Sequence, residues 1–394
     1  MRRLRAIFVV CVAPVVIAGC QHPMDNRTST AEQGSYGLVF QTDHDTTIVR
    51  DGAIVAQLPL GLTDNSGPVH MTKDGRFIYS VGTHSISVAD THGVRRRTIP
   101  CAGPCRYFPL GASLIGDLNT GDPGIVAAGD TDYAGVSAID LAARSAQVRT
   151  LGRVQLGSAH PADARVLPYS YFLDASPGQY LFLDLDGVMT GSPRRWEHPH
   201  RLYLAKLNGP TTDLGRYAGF GHEADVWGVI SPDGKHAAVS SDQQATADSA
   251  HCDDTPIDFI DTGTGQVSRV HPTEPGDGPQ SMRVSRAWWG ADGTLYANYQ
   301  QWPCVKDSIQ QPPPPPSSVW VYRNGNWSKL DTHGPAIYAL QLPGDRLAVV
   351  APAPDQKTYE MPSGTLSVIN PDGTRTHIAD GVTAIAPVPA DAAP

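Results

Sequence analysis

Repetition at a long period is what most constrains this chain. Seven short segments alternate apolar and polar residues and run into an Asp, Asn or Gly turn: Thr47–Gly52 (TIVRDG), Ser85–Asp90 (SISVAD), Val136–Asp140 (VSAID), Arg201–Gly209 (RLYLAKLNG), Ile257–Asp261 (IDFID), Val319–Gly325 (VWVYRNG) and Thr365–Asn370 (TLSVIN). Asp51 and Asn370 lie 319 residues apart, so the six steps average about 53 residues each. Alternation at a period of two is the signature of a half-buried strand. A further short strand follows each segment, as in Gln266–Val270 or Thr374–Ile378, which makes a hairpin.

A second class of segment precedes the first: Thr72–Tyr79 (TKDGRFIY), Ser176–Phe182 (SPGQYLF), Ser231–Val239 (SPDGKHAAV), Ala291–Tyr296 (ADGTLY) and Pro343–Val349 (PGDRLAV). Each reads as a turn feeding a strand, with Gly supplying a positive φ and Pro or Asp pre-setting the bend. Four strands in about 50 residues, seven times over, predict an all-β fold, a β-propeller in which radial repetition covers both faces of every small sheet. The count points to seven blades, and the irregular spacing also admits six or eight. The third repeat departs most, because Asn119–Gly124 (NTGDPG) only loosely replaces the expected turn. The first repeat lacks an inner strand, whereas residues 383–388 (TAIAPV) are a spare strand at the other end. That strand is expected to pair into the first blade and close the ring, removing an edge that invites aggregation.

Composition agrees with this architecture and excludes others. With 39 Gly and 34 Pro in 394 residues, a helical bundle is disfavoured. A formal charge of −9 gives no electrostatic footprint for nucleic acid, and 40% apolar residues suffice for a core.

Ser231–Lys235 (SPDGK) and its degenerate relatives resemble the repeat of bacterial TolB-type and YVTN-type propellers, and the resemblance extends from Tyr36 to the C-terminus. It implies the fold and is almost silent on activity. At the other end of the chain, Arg2, Arg3 and Arg5 precede an apolar run, Ala6 to Gly19, that stops at Cys20. Fourteen residues reach only about 21 Å as a helix, short of a bilayer core of about 30 Å, and Pro14 interrupts them, so a secretion signal is expected rather than a membrane span. Ile17–Cys20 (IAGC) resembles a bacterial lipobox, with Ile17 where that family usually has Leu. The resemblance implies cleavage before Cys20 and a lipid, palmitate among its acyl chains, on Cys20. An ordinary cleaved signal with an incidental Cys is the alternative. The expected organisation is a lipoprotein signal peptide over 1–19, a lipidated Cys and polar tether over 20–35, and a single propeller domain over 36–394, held on the outer side of the cytoplasmic membrane.

Four further cysteines, Cys101, Cys105, Cys252 and Cys304, are an even number in an exported chain, which reads as disulfides. Cys101 and Cys105 can close on their Ala-Gly-Pro turn, leaving Cys252 to meet Cys304. Free thiols and a zinc site are the competing readings, although the spacing lacks the paired short knuckles of zinc sites.

If strands A to D run outward from the axis, the A-to-B and C-to-D turns share one face and are short. The long insertions, Gly187–His200, Asp242–Pro256, Gln301–Ser318 and Pro352–Ser363, all fall between B and C and so share the opposite face. Loops carry function on rigid scaffolds, so that face over blades four to seven is the candidate binding face. Its chemically capable residues are Arg194, Arg195, Trp196, His198 and His200, then His222, Glu223 and Asp225 at the entry to blade five, and Trp302. The arginines and tryptophans suit an anionic or sugar-like ligand; the His, Glu and Asp residues suit a metal or an acid–base pair, but no spacing among them demands either. Phe182–Val188 (FLDLDGV) resembles the nucleophile motif of haloacid-dehalogenase-type phosphatases, yet the β context on both sides reads Asp184 and Asp186 as the end of a B strand. No GxSxG, SxxK, HExxH, GxxxxGK[ST] or CxxCH occurs. The expectation is therefore a lipid-anchored envelope protein that binds another macromolecule, an envelope protein or a glycan, through its loop-rich face, without cofactor, metal or catalysis. A propeller enzyme such as a metal-assisted lactonase or other hydrolase, and a sensor of a small ligand or glycan, are the alternatives.

Overall fold

The computed structural model describes residues 35–59, 71–82, 84–92, 96–101, 108–111, 113–119, 133–143, 145, 147–155, 171–185, 200–217, 226–241, 256–272, 280–303, 316–353 and 363–388. They form antiparallel β-meanders. One group holds β1 (Gly37–Thr42), β2 (Asp45–Arg50) and β3 (Ala53–Pro59), and the next β4 (Phe77–Val81), β5 (Ser85–Asp90) and β6 (Arg96–Pro100). Then come β7 (Phe108–Gly111), β8 (Leu114–Asn119), β9 (Tyr133–Asp140) and β10 (Val148–Gln155), followed by β11 (Tyr171–Ser176), β12 (Gln179–Leu185), β13 (His200–Lys206) and β14 (Thr211–Tyr217). β15 (Val226–Ile230), β16 (His236–Ser241), β17 (Ile257–Asp261) and β18 (Val267–Val270) precede β19 (Gln280–Trp289), β20 (Leu295–Pro303), β21 (Ser317–Arg323) and β22 (Asn326–Lys329). The last group is β23 (Tyr338–Leu342), β24 (Arg346–Pro352), β25 (Gly364–Ile369) and β26 (Arg375–Val388). The seven alternating segments of the sequence are β2, β5, β9, β13, β17, β21 and β25, the middle strand of the first two groups and the third strand of each of the other five.

β26 belongs to two groups. Its first half pairs with β25, from Ile369↔Arg375 to Gly364↔Val382, and its second half, Val382 to Val388, pairs with β1 in the register Gly37↔Val388 to Gln41↔Ala384. The result is one seven-stranded sheet in the order β23-β24-β25-β26-β1-β2-β3. In the second group Met71 bridges Ile78 at the inner position of the three-stranded sheet.

Burial follows strand position. β4 (FIYSV) is buried throughout and β1 at all but its last residue, whereas outer strands such as β6, β18 and β22 show one or no buried residue. A strand buried on both faces reads as a continuous apolar run, the pattern expected when small sheets stack face to face. The core is accordingly divided among the gaps between consecutive groups. Phe77, Tyr79 and Ile86 meet Ile115 and Ile139; Leu110 and Val136 meet Tyr180 and Phe182; Leu181 and Leu204 meet Ile230 and Val239; Ala238 and Ile257 meet Val284 and Tyr299. A larger cluster joins Tyr296 and Val321 to β23–β26, β1 and β2, and reaches Ile78 and Ala89 of the second group.

The turn motif has a local cause. In Ser231–Gly234 the Ser231 hydroxyl donates to Asp233 Oδ1 at 2.7 Å and accepts from His236 N at 3.0 Å, while Lys235 N donates to the same carboxylate at 3.0 Å. Thr72 and Asp74 repeat the arrangement, with Phe77 N donating to the Thr72 hydroxyl. These bonds satisfy backbone groups that the bend leaves without ladder partners, and Gly234 at φ 72° takes the left-handed position. In the third group β7 leads into β8 through Gly111, at φ 146°, and Ser113, whereas Asn119 ends β8 and residues 120–124 lie outside the described residues.

Candidate functional site: the inner cavity

The innermost strands converge on a cavity of about 380 Å³, and all seven groups contribute to its wall: Ile385, Lys73, Pro109, Asp174, Ile230, Arg286 and Tyr338 are one residue from each. Thr72, Gly75, Pro232, Gly290 and Ala291 also line it, which places it toward the A-to-B turns.

Two polar arrangements face this space. Asp174 in β11 is only 9% exposed and saturated with donors: Lys73 Nζ reaches both carboxylate oxygens at 2.8 and 2.7 Å, Ala175 N donates to Oδ1 at 2.9 Å, and Ile230 N donates to Oδ2 at 2.7 Å. One carboxylate thereby links the second, fourth and fifth groups. Arg286 in β19 donates from Nη1 to the Tyr338 hydroxyl at 2.7 Å, joining the sixth and seventh. Burial pushes the Tyr338 hydroxyl above its ordinary value, against the opposing pull of Arg286, so it stays a neutral O–H.

Both strands are bulged just before these residues. The register of β11 slips between Phe172 and Asp174, and that of β19 between Val284 and Arg286. A bulge inserts one unpaired residue and re-aims the side chains beyond it, which turns a charged residue toward the cavity on a strand whose neighbours feed the core. The surroundings are tightly held. Trp288 packs against Tyr338 with ring centroids 4.7 Å apart and donates from Nε1 to Ala339 O at 3.1 Å, and Trp289 Nε1 donates to Val229 O at 3.2 Å.

None of these four polar residues stood out in the sequence. Lys73 and Asp174 are 101 residues apart and Arg286 and Tyr338 52 apart, each a single residue in an ordinary strand or turn. The only local signal was an Arg placed among apolar residues in β19, and periodicity alone assigns no meaning to that.

Of the residues expected on the loop-rich face, Arg194, Arg195, Trp196, His198, His222, Glu223 and Asp225 lie outside the described residues, as do Cys20, Cys105, Cys252 and Cys304. His200 is not in the loop but opens β13, its backbone paired with Leu185 and Tyr217, and Trp302 belongs to β20, paired with Ser281. Both differ from expectation because ladder pairing continues beyond the last alternating residue. Asp184 lies in β12 opposite Arg201. Among the described residues no three His, Cys, Asp or Glu side chains are grouped to hold a metal.

Fold and cavity together define an all-β protein of antiparallel sheets, four of them four-stranded, of propeller type. No protein-family model matches the chain, and no curated protein is significantly similar to it in sequence. Among solved structures it is similar to TolB from Acinetobacter baumannii, at 14% identity over 90% of this chain and 82% of that one, with a TM-score of 0.39. It is also similar to the β-propeller domain of the Trilobed protease from Pyrococcus furiosus, at 11% identity over 88% and 94%, TM-score 0.43, and to the tricorn protease, at 12% identity over 88% of this chain and 35% of that one, TM-score 0.47.

Proposed function

We propose that this chain is an exported, lipid-anchored, seven-bladed β-propeller that recognises a macromolecular partner, an envelope protein or glycan, through the face bearing its long connections. One observation carries the reading: the two ends of the sheets are built differently. Between consecutive strands, A-to-B and C-to-D connections span 2 to 7 residues, whereas B-to-C connections span 11 to 15 in the third to seventh groups. The D-to-A connections, 7 to 15 residues long, leave from that same end. Long connections survive on a compact domain chiefly where they carry function.

Seven blades and a closed ring are supported by the seven meander groups, by core clusters that fill each gap between consecutive groups, and by β26, which serves the last group and the first. The Cys101–Cys105 bridge is supported by Cys101, which is disulfide-bonded. The lipid anchor rests on the lipobox-like Ile17–Cys20. Cys20→Ser is expected to abolish palmitate incorporation and move the protein from the membrane to the soluble fraction; retention in the membrane with undiminished label would overturn the anchor.

The partner face is tested in intact cells with a photo-crosslinking amino acid placed at Trp196 and Trp302 on one side and at Asn208 and Asn324, in C-to-D turns, on the other. Adducts are expected from the first pair alone. Adducts of equal yield from the turns, or from the turns only, would assign recognition to the other face.

A further inference from the structure

We propose that the inner cavity binds a small organic monoanion, a carboxylate on a compact apolar body, anchored by Arg286 and Tyr338. This site is independent of the loop-bearing face, since it sits toward the opposite, short-turn end.

The argument begins with charge. Lys73 and Asp174 line the same cavity but neutralise one another, and Asp174 has spent its acceptor capacity on Lys73, Ala175 and Ile230. Among the described residues Arg286 has no carboxylate partner, and its one hydrogen bond there goes to an uncharged phenol. A guanidinium carries five N–H donors in a planar fork, so four remain for a ligand. Tyr338 accepts from Arg286, is 3% exposed, and has no acceptor for its own O–H among the described residues. A partly buried cation beside an unused buried hydroxyl donor is an unfinished anion site, because leaving such donors without acceptors in a low-dielectric pocket is costly.

The remaining wall sets the ligand class. Trp288, Phe172, Leu173, Ile385 and Pro387 leave little else polar, so the body of the ligand is apolar. Among the described lining residues Lys73 is paired with Asp174 and only the charge of Arg286 is unspent, which suits a carboxylate held by the guanidinium fork better than a phosphate dianion. A volume of about 380 Å³ falls within the range of clefts that enclose small organic ligands. The bulge before Arg286 adds to this, since a plain strand has no need of one to bury an apolar side chain.

The test uses the full-length protein in detergent, titrated by calorimetry and by tryptophan fluorescence with benzoate and hexanoate, with benzyl alcohol as the neutral counterpart and inorganic phosphate as the charge control. Both carboxylates are expected to saturate with Kd below about 1 mM, with benzyl alcohol and phosphate weaker by about tenfold or more. Arg286→Gln is expected to weaken the carboxylates about tenfold without changing benzyl alcohol, and Tyr338→Phe by roughly three- to tenfold. Ala386→Met fills the cavity while leaving both anchors in place, and is expected to remove binding altogether; with Tyr338→Phe it decides the matter if Arg286→Gln does not fold. No saturable binding of either carboxylate, equal binding of benzyl alcohol, or unchanged affinity in Arg286→Gln and Ala386→Met overturns the proposal.

Discussion

Deleting residues 382–394 is expected to abolish cooperative folding, although only the second half of β26 and the residues after it are lost. Val382, Ala384, Ile385 and Val388 are between 0 and 6% exposed, and the segment supplies the inner ladder partner of β1. Burial of the two valines and the isoleucine alone contributes about 5–9 kcal/mol, which is of the order of the whole stability of a domain. The deletion also uncovers the backbone edge of Gly37–Thr42 beside Leu38, Val39 and Phe40, an apolar edge of the kind that pairs with other chains. Circular dichroism melts should show no sharp transition, and size exclusion should show aggregates. A peptide covering 380–390 added in trans is expected to restore part of the transition. A truncated protein that melts within a few degrees of the parent would show that this strand does not hold the first group to the last. Gly37→Val is a milder probe of the same junction, because a Cβ there would stand 2.7 Å from Val388 Cβ.

The second large effect is expected at Asp174. Its side chain is 12% exposed and that of Lys73 20%, so their ion pair is poorly screened, and removing one partner leaves the other buried without its counter-charge. Asp174→Ala also strips the acceptor from the backbone N–H of Ile230, which belongs to the neighbouring group. Together these losses should cost about 3–5 kcal/mol in urea unfolding. Lys73→Met should cost less, about 1–3 kcal/mol, because Asp174 keeps its two backbone donors. The double variant Lys73→Met with Asp174→Ala should therefore be more stable than the two single losses added together. Additive losses would show that the pair is held in place by its surroundings rather than tying three groups to one another.

How much of this was readable from the chain varies from strand to strand. The third strands were legible because each alternates and then meets an Asn, Asp or Gly turn within a few residues. The second strands were legible for the same reason, as the Ser231 and Thr72 hydroxyl networks illustrate. Turn Gly111–Ser113 was not, since it carries no Asp-Gly pair and is marked only by Gly111 at φ 146°. The inner strands were the least visible. β7 (FPLG) and β15 (VWGVI) are too short to show a period, and the irregular spacing left the blade count open. His200 and Trp302 were placed in loops because ladder hydrogen bonding extends past the residues whose side chains alternate.

By itself, then, the sequence determined what adjacent residues can encode: strands of period two, turns that need a positive φ, and an apolar run ending at Cys20. The tertiary structure alone decided which strand lies beside β1, where β11 and β19 bulge, and that Lys73 meets Asp174 while Arg286 meets Tyr338. Those contacts join residues 52 to more than 300 positions apart. No local pattern marks them, because they arise only when packed sheet faces repay the entropy of closing such long loops, and that packing is a property of the whole meander rather than of any one segment.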